Sequence, residues 1–198
     1  MHCGRELTHD ILNLNLKRKL LYASEDLTRS SPFFWGFRKA FTESADQIFS
    51  ITDSIPAPIK EVGPATQEIT INDDKGTGSL ISRVKVATLN GVATSIMTTR
   101  STILSNDESP DIIRVRIDTT KPEDSTVLKN LGPLGDFINE NAPPFPSGQA
   151  LEKYKKGSSE VLMQNTYVDE NLRISRDKEG LDDFFVWVRD GFLGDFEI

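Results

Sequence analysis

The sequence predicts a single, mainly β domain whose strands are joined as neighbours in an up-and-down or nearly closed barrel. Apolar and charged residues alternate strictly from Ile113 to Asp118, which is typical of a strand with one face on a core and the other in water. Asn90-Gly91 predicts a type I′ hairpin turn, because both residues accept a positive φ. Further strand patterns bring the total to about eight, which suits a small barrel.

The N-terminal third combines one strand with two short helices. Leu20 to Ser24 predicts the first strand. Ser30-Ser31-Pro32 offers an N-cap and a proline at the first helical position, so we expect an amphipathic helix over Pro32 to Ala40. A shorter helix is expected over Ala45 to Ile51. The apolar face of the first helix consists of phenylalanines spaced by three and four, namely Phe33, Phe34, Phe37 and Phe41.

The remaining strands follow with a period of two. We expect them at 68–72, 80–89, 92–104, 113–118, 161–168, 172–176 and 184–189, with a turn over 73–78. The segment from Thr119 to Gln149 is rich in proline and glycine. It therefore predicts a long, partly structured loop with at most one helical turn, near Phe137.

The composition of the chain limits the kinds of molecule that it is expected to bind. A chain of 198 residues with 37% hydrophobic content can bury one sizeable core. Its net charge of -7 argues against nucleic acid, and the basic run Lys17-Arg18-Lys19 is expected on a solvated face. The longest wholly apolar runs, such as Phe184 to Val188, fall far short of the roughly 18 residues of a membrane-spanning helix. Any membrane contact is therefore expected to be peripheral.

Residues suited to catalysis or metal binding are sparse. His2 and His9 lie in a polar N-terminal segment, and Cys3 is the sole cysteine, so no intrachain disulfide is expected. We therefore expect no catalytic relay, no cofactor and no metal site.

Two features stand out as candidate binding residues. The strand Phe184 to Val188 is apolar on both faces, so Phe185 and Trp187 are candidates for lining a ligand cavity, the alternative being ordinary core. The second feature is the hairpin 166–176, which places polar residues beside apolar Leu172 and Ile174. Its polar members are Tyr167, Asp169, Arg173 and Arg176.

Strand parity distinguishes the two arginines. In a regular strand Arg176 shares the face of Leu172 and Ile174, whereas Arg173 lies on the opposite face. An arginine on the apolar face could sit at a cavity mouth and meet a carboxylate or a lipid headgroup. Alternatively, it pairs with Asp169 and fixes the turn.

The same hairpin resembles a known family. The run Asn165 to Arg176, followed by Phe184 to Arg189, is similar to the closing signature of the plastid-lipid-associated proteins, also called plastid fibrillins or plastoglobulins. Lys19 to Ser24 resembles the first strand of that family, and Thr28 to Phe34 resembles a segment of some branches. The similarity covers about residues 19 to 190.

The resemblance implies a lipocalin-like antiparallel barrel that acts in plastids, at plastoglobules or thylakoids. The motif positions that it carries over are Tyr167, Asp169, Arg173 and Arg176. Two features depart from the family pattern: Asp177-Lys178-Glu179 precedes a lone Gly180 in place of a glycine-rich turn, and the first strand begins by residue 19. We accordingly divide the chain into a polar lead-in (1–18, a truncated N-terminus being one explanation), a barrel domain (19–190) and a tail (191–198).

The residues and the resemblance together leave three functions open. The first is non-catalytic binding or transport of a hydrophobic small molecule, such as a carotenoid, a prenyl-lipid or a fatty acid. The second is a structural coat on plastid lipid droplets, with a filled barrel and either the helix 32–40 or the loop around Phe145 on the lipid. The third is an enzyme that uses Tyr167 or Arg176 in an enclosed pocket.

Overall fold

The computed structural model describes residues 15–56, 58–72, 76–105, 109, 111–179 and 183–192, and its eight strands form one closed antiparallel barrel. Each strand pairs with its neighbours in chain order, and the first pairs with the last. The strands are β1 (Lys17–Ala23), β2 (Lys60–Ile71), β3 (Gly78–Thr88), β4 (Ala93–Leu104), β5 (Ile112–Glu123), β6 (Glu160–Val168), β7 (Leu172–Asp177) and β8 (Phe184–Arg189).

The predicted fold class and strands are confirmed. In β5 the side chains of Ile113, Val115 and Ile117 are buried, while the intervening Arg114 and Arg116 are exposed, as the alternation predicts. The predicted hairpin turn is also present, with φ of 57° at Asn90 and 82° at Gly91. Val92 N donates to Leu89 O across it, 3.2 Å away.

Strand β2 is longer than predicted. It begins at Lys60, whereas the alternating pattern begins only at Glu68. The pairing of β2 with β3 shifts register between Val62 and Ala65, and this irregularity interrupts the period of two. A strand that contains such a shift lacks the alternation by which it would be recognised.

Helices occupy the connections at one end of the barrel. The N-terminal pair is α1 (Pro32–Ala40), which matches its prediction, and α2 (Ala45–Asp53). A short 3₁₀ helix, Leu27–Ser30, precedes α1. None of the described helices is both long enough and apolar enough to cross a membrane.

The prediction of a long loop with at most one helical turn between 119 and 149 is wrong. Strand β5 extends to Glu123, and three helices follow it: α3 (Thr126–Lys129), α4 (Pro133–Asn141) and α5 (Ser147–Tyr154). Pro133 takes the first helical position of α4, and Gly132 precedes it with a φ of 64°. The prolines and glycines of this segment thus delimit short helices.

The 3₁₀ helix and α1 cover one end of the barrel, which we call the capped end. Trp35 of α1 is buried and stacks on Phe185 of β8, with 6.0 Å between ring centroids. Gly36 allows the close approach of α1, because a Cβ there would lie 2.5 Å from Ile117 Cδ1 and 2.7 Å from Ser158 O. Gln67 Nε2 donates to Ser30 O at 2.8 Å, so the 3₁₀ helix contacts the barrel interior directly.

Several sequence predictions fall outside the described residues. They concern His2, Cys3, His9, most of the lead-in, part of the turn 73–78, Gly180 and most of the tail.

Candidate ligand site in the barrel interior

Apolar side chains line most of the barrel interior, and we call them the apolar wall. Residues that point inward from every strand except β7 are buried and form one contiguous core cluster together with Trp35 of α1. The inward-facing members are Leu20, Ala65, Ile69, Leu80, Val84, Ile103, Ile113, Val115, Ile117, Val161, Met163, Phe185 and Trp187.

Polar side chains interrupt this wall. Two of them are arginines, Arg18 on β1 and Arg173 on β7, with exposed fractions of 0% and 1%. The other buried polar residues on inward-facing positions are Gln67, Ser82, Thr99, Ser101, Thr120, Asn165, Ser175 and Asp177. Arginine is almost never fully buried unless it is paired with an anion, so these two define the unusual chemistry of the interior.

The partners of Arg173 are neutral or aromatic. Arg173 Nη2 donates to Gln67 Oε1, and its guanidinium lies over the indole of Trp187, 5.2 Å from the ring centroid. Trp187 Nε1 in turn donates to Ser175 Oγ at 2.9 Å. Among the ion pairs that the described residues form, none involves Arg173. The positive charge of Arg173 is therefore stabilised by the amide dipole of Gln67 and the π face of Trp187, both of which are uncharged.

The two arginines repel each other. Burial lowers the pKa of Arg173 to about 9, and the nearby charge of Arg18 contributes to the lowering. Burial also lowers the pKa of Arg18, against the attraction of Asp169. Arg18 Nη2 donates to the backbone carbonyl of Asp169 at 2.9 Å. Arg173 with a pKa of about 9 is still a cation at neutral pH, so the interior holds positive charge.

Several interior polar atoms lack a hydrogen-bond partner within the described part of the chain. They include Arg173 Nε, Ser82 Oγ, Ser101 Oγ and Asn165 Oδ1. Buried polar groups of folded proteins nearly always have a protein or water partner. A partner from outside the described chain, either water or a ligand, would satisfy these atoms.

The structure confirms that Arg173 and Arg176 lie on opposite faces of β7. The inner face, however, is the polar one and not the apolar one. Arg173, Ser175 and Asp177 are buried in the barrel, while Leu172, Ile174 and Arg176 are half-buried on the outer face. The prediction that Arg176, on the apolar face, sits at the mouth of a cavity is therefore wrong: the arginine of β7 that faces the interior is Arg173. The apolar face did not identify the interior because the inner face of this strand is polar.

Arg176 packs outside the barrel, where its guanidinium lies 5.2 Å from the ring centroid of Phe184. Phe185 and Trp187, in contrast, face the interior and have exposed fractions of 0%. Of the five predicted ligand-binding residues, the structure thus brings together Arg173, Phe185 and Trp187.

The fifth predicted ligand-binding residue, Tyr167, lies on the outside with Asp169. Tyr167 Oη donates to Asp169 Oδ2 at 2.7 Å, and Asp169 Oδ1 accepts from Asn171 N and Leu172 N at 2.7 and 2.6 Å. The hydrogen bond from Tyr167 and those from the backbone lower the pKa of Asp169, and Asp169 raises the pKa of Tyr167. These contacts fix the β6–β7 turn by side-chain and backbone donors.

Sequence reasoning missed several interior residues. Arg18 was expected on a solvated face, because it stands between Lys17 and Lys19. The available signal was its parity with Leu20, which is also buried. Gln67 alternates in the same way with Ala65 and Ile69, and this pattern could have identified it.

A second polar cluster lies outside the barrel, between α1, α2 and the capped end. Arg29 and Arg38 face a cleft of about 480 Å³ and form ion pairs with surrounding carboxylates. Arg29 binds Asp53 at 2.6 Å, and Arg38 binds Asp183 at 3.0 Å. Here each cation has an acidic partner, which the Arg173 guanidinium does not have among the described residues.

Comparison with known proteins gave no match, whether by family model, by curated protein or by solved structure. Among the described residues, no group of three or more His, Cys, Asp or Glu side chains is arranged to hold a metal ion.

Proposed function

We propose that the barrel binds a hydrophobic small molecule non-covalently, as a carrier or store without a catalytic step. The observation that carries the proposal is the mixed interior: an apolar wall encloses buried polar atoms that find no partner in the described chain. A dry structural core would leave few such atoms, because each costs free energy. The resemblance of the β6–β7 hairpin to plastid-lipid-associated proteins supports the same function.

The proposed ligands are a carotenoid, a prenyl-lipid or a fatty acid, and the proposed site of action is the plastid, at plastoglobules or thylakoids. Burying hydrocarbon contributes about 0.8 kcal/mol per methylene, so ten methylenes give roughly 8 kcal/mol before the entropy of confinement is subtracted. Binding of this strength needs no reactive side chain. An enzyme that uses Tyr167 or Arg176 is less favoured, because both side chains lie outside the barrel.

The test is to reduce the interior volume with one substitution. Ala65 on β2 faces the interior and is 1% exposed, whereas the adjacent Thr66 faces outward. Lipid-free protein is titrated with a carotenoid, a prenyl-quinone and a fatty acid, and binding is followed by Trp fluorescence. We expect saturable binding of at least one ligand, lost in Ala65→Phe and retained in the matched Thr66→Phe. Ser82→Leu serves as a second interior variant if Ala65→Phe does not fold.

Two results would contradict the proposal. One is the lack of saturable binding for all three ligand classes. The other is equal binding by Ala65→Phe, Ser82→Leu and wild type, since a ligand inside the barrel must compete with the added side-chain volume.

A second candidate function, docking on a lipid surface, is favoured by one patch of exposed apolar side chains. We call it the apolar rim, and it comprises the β3–β4 turn together with α3 and α4. Thr94 N donates to Thr126 Oγ1 at 2.9 Å, and this bond holds the start of α3 against the turn. The members of the rim are Leu89, Val92, Val127, Leu131, Leu134 and Phe137, which are between 53% and 70% exposed.

The helix that the sequence offered as an anchor is largely covered. Phe33, Phe37 and Phe41 of α1 pack on the core, and Phe34 contacts the ring of Phe49 on α2. Phe145, the other candidate, is 58% exposed. Surface docking is therefore better supported for the apolar rim than for α1.

Flotation with neutral lipid droplets tests the second candidate. We expect Leu134→Asp/Phe137→Asp to reduce flotation, while Leu21→Asp, which changes an equally apolar exposed residue on β1, leaves it unchanged. Equal flotation of the wild type and the double variant would exclude the rim as a docking surface.

A further inference from the structure

We infer that the ligand of the barrel carries a carboxylate and that Arg173 binds it inside the barrel. This inference rests on the proposed function, and it narrows the ligand from hydrophobic molecules in general to long-chain carboxylic acids.

The interior of the barrel carries a positive charge at Arg173. Arg173 is 1% exposed, and its described contacts are the Gln67 amide and the Trp187 ring, both of which are uncharged. A buried cation is strongly disfavoured unless an anion compensates for its lost hydration. Asp177 is the buried carboxyl on the same strand, and among the described residues no ion pair joins it to Arg173. An anionic ligand group would supply the missing partner.

The guanidinium of Arg173 has a hydrogen-bond donor that the described residues do not use. Arg173 Nη2 is held by Gln67 Oε1, and Gln67 is itself held by Ser30 O at 2.8 Å. The guanidinium is thereby fixed in orientation, while its Nε has no partner among the described residues. A guanidinium matches the planar geometry of a carboxylate, and a bond between them is stronger than one between neutral groups.

Apolar side chains lie next to the polar pair formed by Arg173 and Gln67. Arg173 pairs with Trp187 of β8, and its side chain contacts Gln67 of β2. On the inner face of β2, Gln67 lies between Ala65 and Ile69, which are buried and apolar. An amphiphile whose head group binds Arg173 would have its hydrocarbon chain next to these apolar residues. A neutral carotenoid would leave the arginine without an anionic partner.

The experiment compares a fatty acid with the alcohol and the methyl ester of the same chain length. Binding to lipid-free wild-type protein is measured at neutral pH, together with Arg173→Gln and the control Arg116→Gln, which alters an exposed arginine on the outer face of β5. We expect the wild type to bind the acid at least about tenfold more tightly than the alcohol or the ester, as for a charged hydrogen bond. Arg173→Gln should abolish this preference, and Arg116→Gln should retain it.

The outcomes separate the two proposals. Equal binding of acid, alcohol and ester by the wild type overturns the carboxylate assignment while leaving the proposed function intact. Absence of saturable binding for every compound overturns both. An alkyl phosphate that binds more tightly than the acid also overturns the carboxylate assignment. The wild-type comparison needs no variant, so the test remains decisive if Arg173→Gln does not fold.

Discussion

The guanidinium of Arg173 lies over the indole ring of Trp187, with both side chains buried in the barrel and 5.2 Å between the guanidinium carbon and the ring centroid. A cation over an aromatic face is attracted by the ring quadrupole, by about 2 kcal/mol when it is desolvated. Transfer of a cation into the interior costs several kcal/mol by comparison. The pair therefore stabilises the position of Arg173 without neutralising its charge.

Replacement of this cation should stabilise the ligand-free protein. Arg173→Met removes a desolvated charge and the repulsion from Arg18 while retaining most of the side-chain volume. We expect a gain of about 1 kcal/mol or more in the free energy of unfolding, after subtraction of about 1 kcal/mol for the lost hydrogen bond to Gln67. Urea denaturation of lipid-free protein measures it. Arg116→Met is the control and should stay within about 0.5 kcal/mol of wild type. A loss of several kcal/mol in Arg173→Met would show that the charge is already compensated.

A methyl group at Gly36 tests the contact between α1 and the barrel. Glycine to alanine inside a helix ordinarily stabilises a protein by about 1 kcal/mol. Here the added Cβ would lie 2.7 Å from the backbone oxygen of Ser158, so α1 must shift. We expect Gly36→Ala to destabilise by about 1–3 kcal/mol, as for an overpacked core. Thermal or urea denaturation decides the sign, and a stabilised variant would contradict the observed close approach.

The Tyr167–Asp169 bond predicts a linked titration. Asp169 raises the pKa of Tyr167, so Asp169→Asn should return that pKa toward its ordinary value of 10.0. The NMR resonances of the Tyr167 ring, recorded across alkaline pH, measure this change in pKa. Glu170→Gln, which alters the neighbouring acid in the same turn, should leave it unaltered. An identical Tyr167 titration in wild type and Asp169→Asn would argue that the hydrogen bond does not persist in solution.

The same bond affects stability in acid. The pKa of Asp169 is lowered by Tyr167 and by backbone donors, so its ionised form stabilises the folded protein above the ordinary value of 3.8. This contribution disappears as the pH falls through the lowered pKa of the folded state. Asp169→Asn should therefore flatten the decrease in stability at acidic pH. Urea denaturation across that range, with Glu170→Gln as control, provides the measurement.

Glu25 should show the opposite dependence. Burial raises its pKa, and Asp183 raises it further by a hydrogen bond and by charge, whereas Arg38 and Arg29 lower it. A carboxyl with a raised pKa stabilises the fold most below its ordinary value of 4.5 and loses that contribution as the pH rises through the folded value. Asp183→Asn should lower the pKa of Glu25 toward its ordinary value and so reduce the loss of stability as the pH rises.

Urea denaturation between mildly acidic and neutral pH measures the effect of Asp183→Asn. Asp46→Asn is the matched control, because Asp46 binds Arg38 at 3.4 Å and is not among the groups that shift the pKa of Glu25. Equal pH dependence of stability in Asp183→Asn and wild type would contradict the proposed coupling.

Local sequence signals were sufficient for most of the fold. Strand β5 and the Asn90-Gly91 turn are each predicted by a short-range sequence pattern, and both lie at the predicted positions. The helices α3 to α5 were missed because glycine and proline mark the ends of helices as well as loops. Register shifts, such as the one in β2, depend on pairing between distant strands and leave no local pattern.

The candidate site was harder to predict for a specific reason. Parity placed Arg173 and Arg176 on opposite faces correctly, but parity does not say which face is inside. Hydrophobicity normally decides this, and it failed here because the interior contains Arg173, Ser175 and Asp177 on one strand. A polar inner face is itself a sign that the interior differs from an ordinary core.

Closure of the barrel has a consequence for synthesis of the chain. The pairing that completes the sheet joins β1 to β8, and Lys17 Nζ reaches Asp190 Oδ2 at 2.9 Å beside this seam. A ribosome delivers these two strands at opposite ends of the barrel sequence. Until β8 has emerged, β1 and β7 each lack one neighbour and present an unpaired edge, the kind of surface that promotes association between nascent chains. The barrel therefore closes only once its last strand, β8, has left the ribosome and can pair with β1.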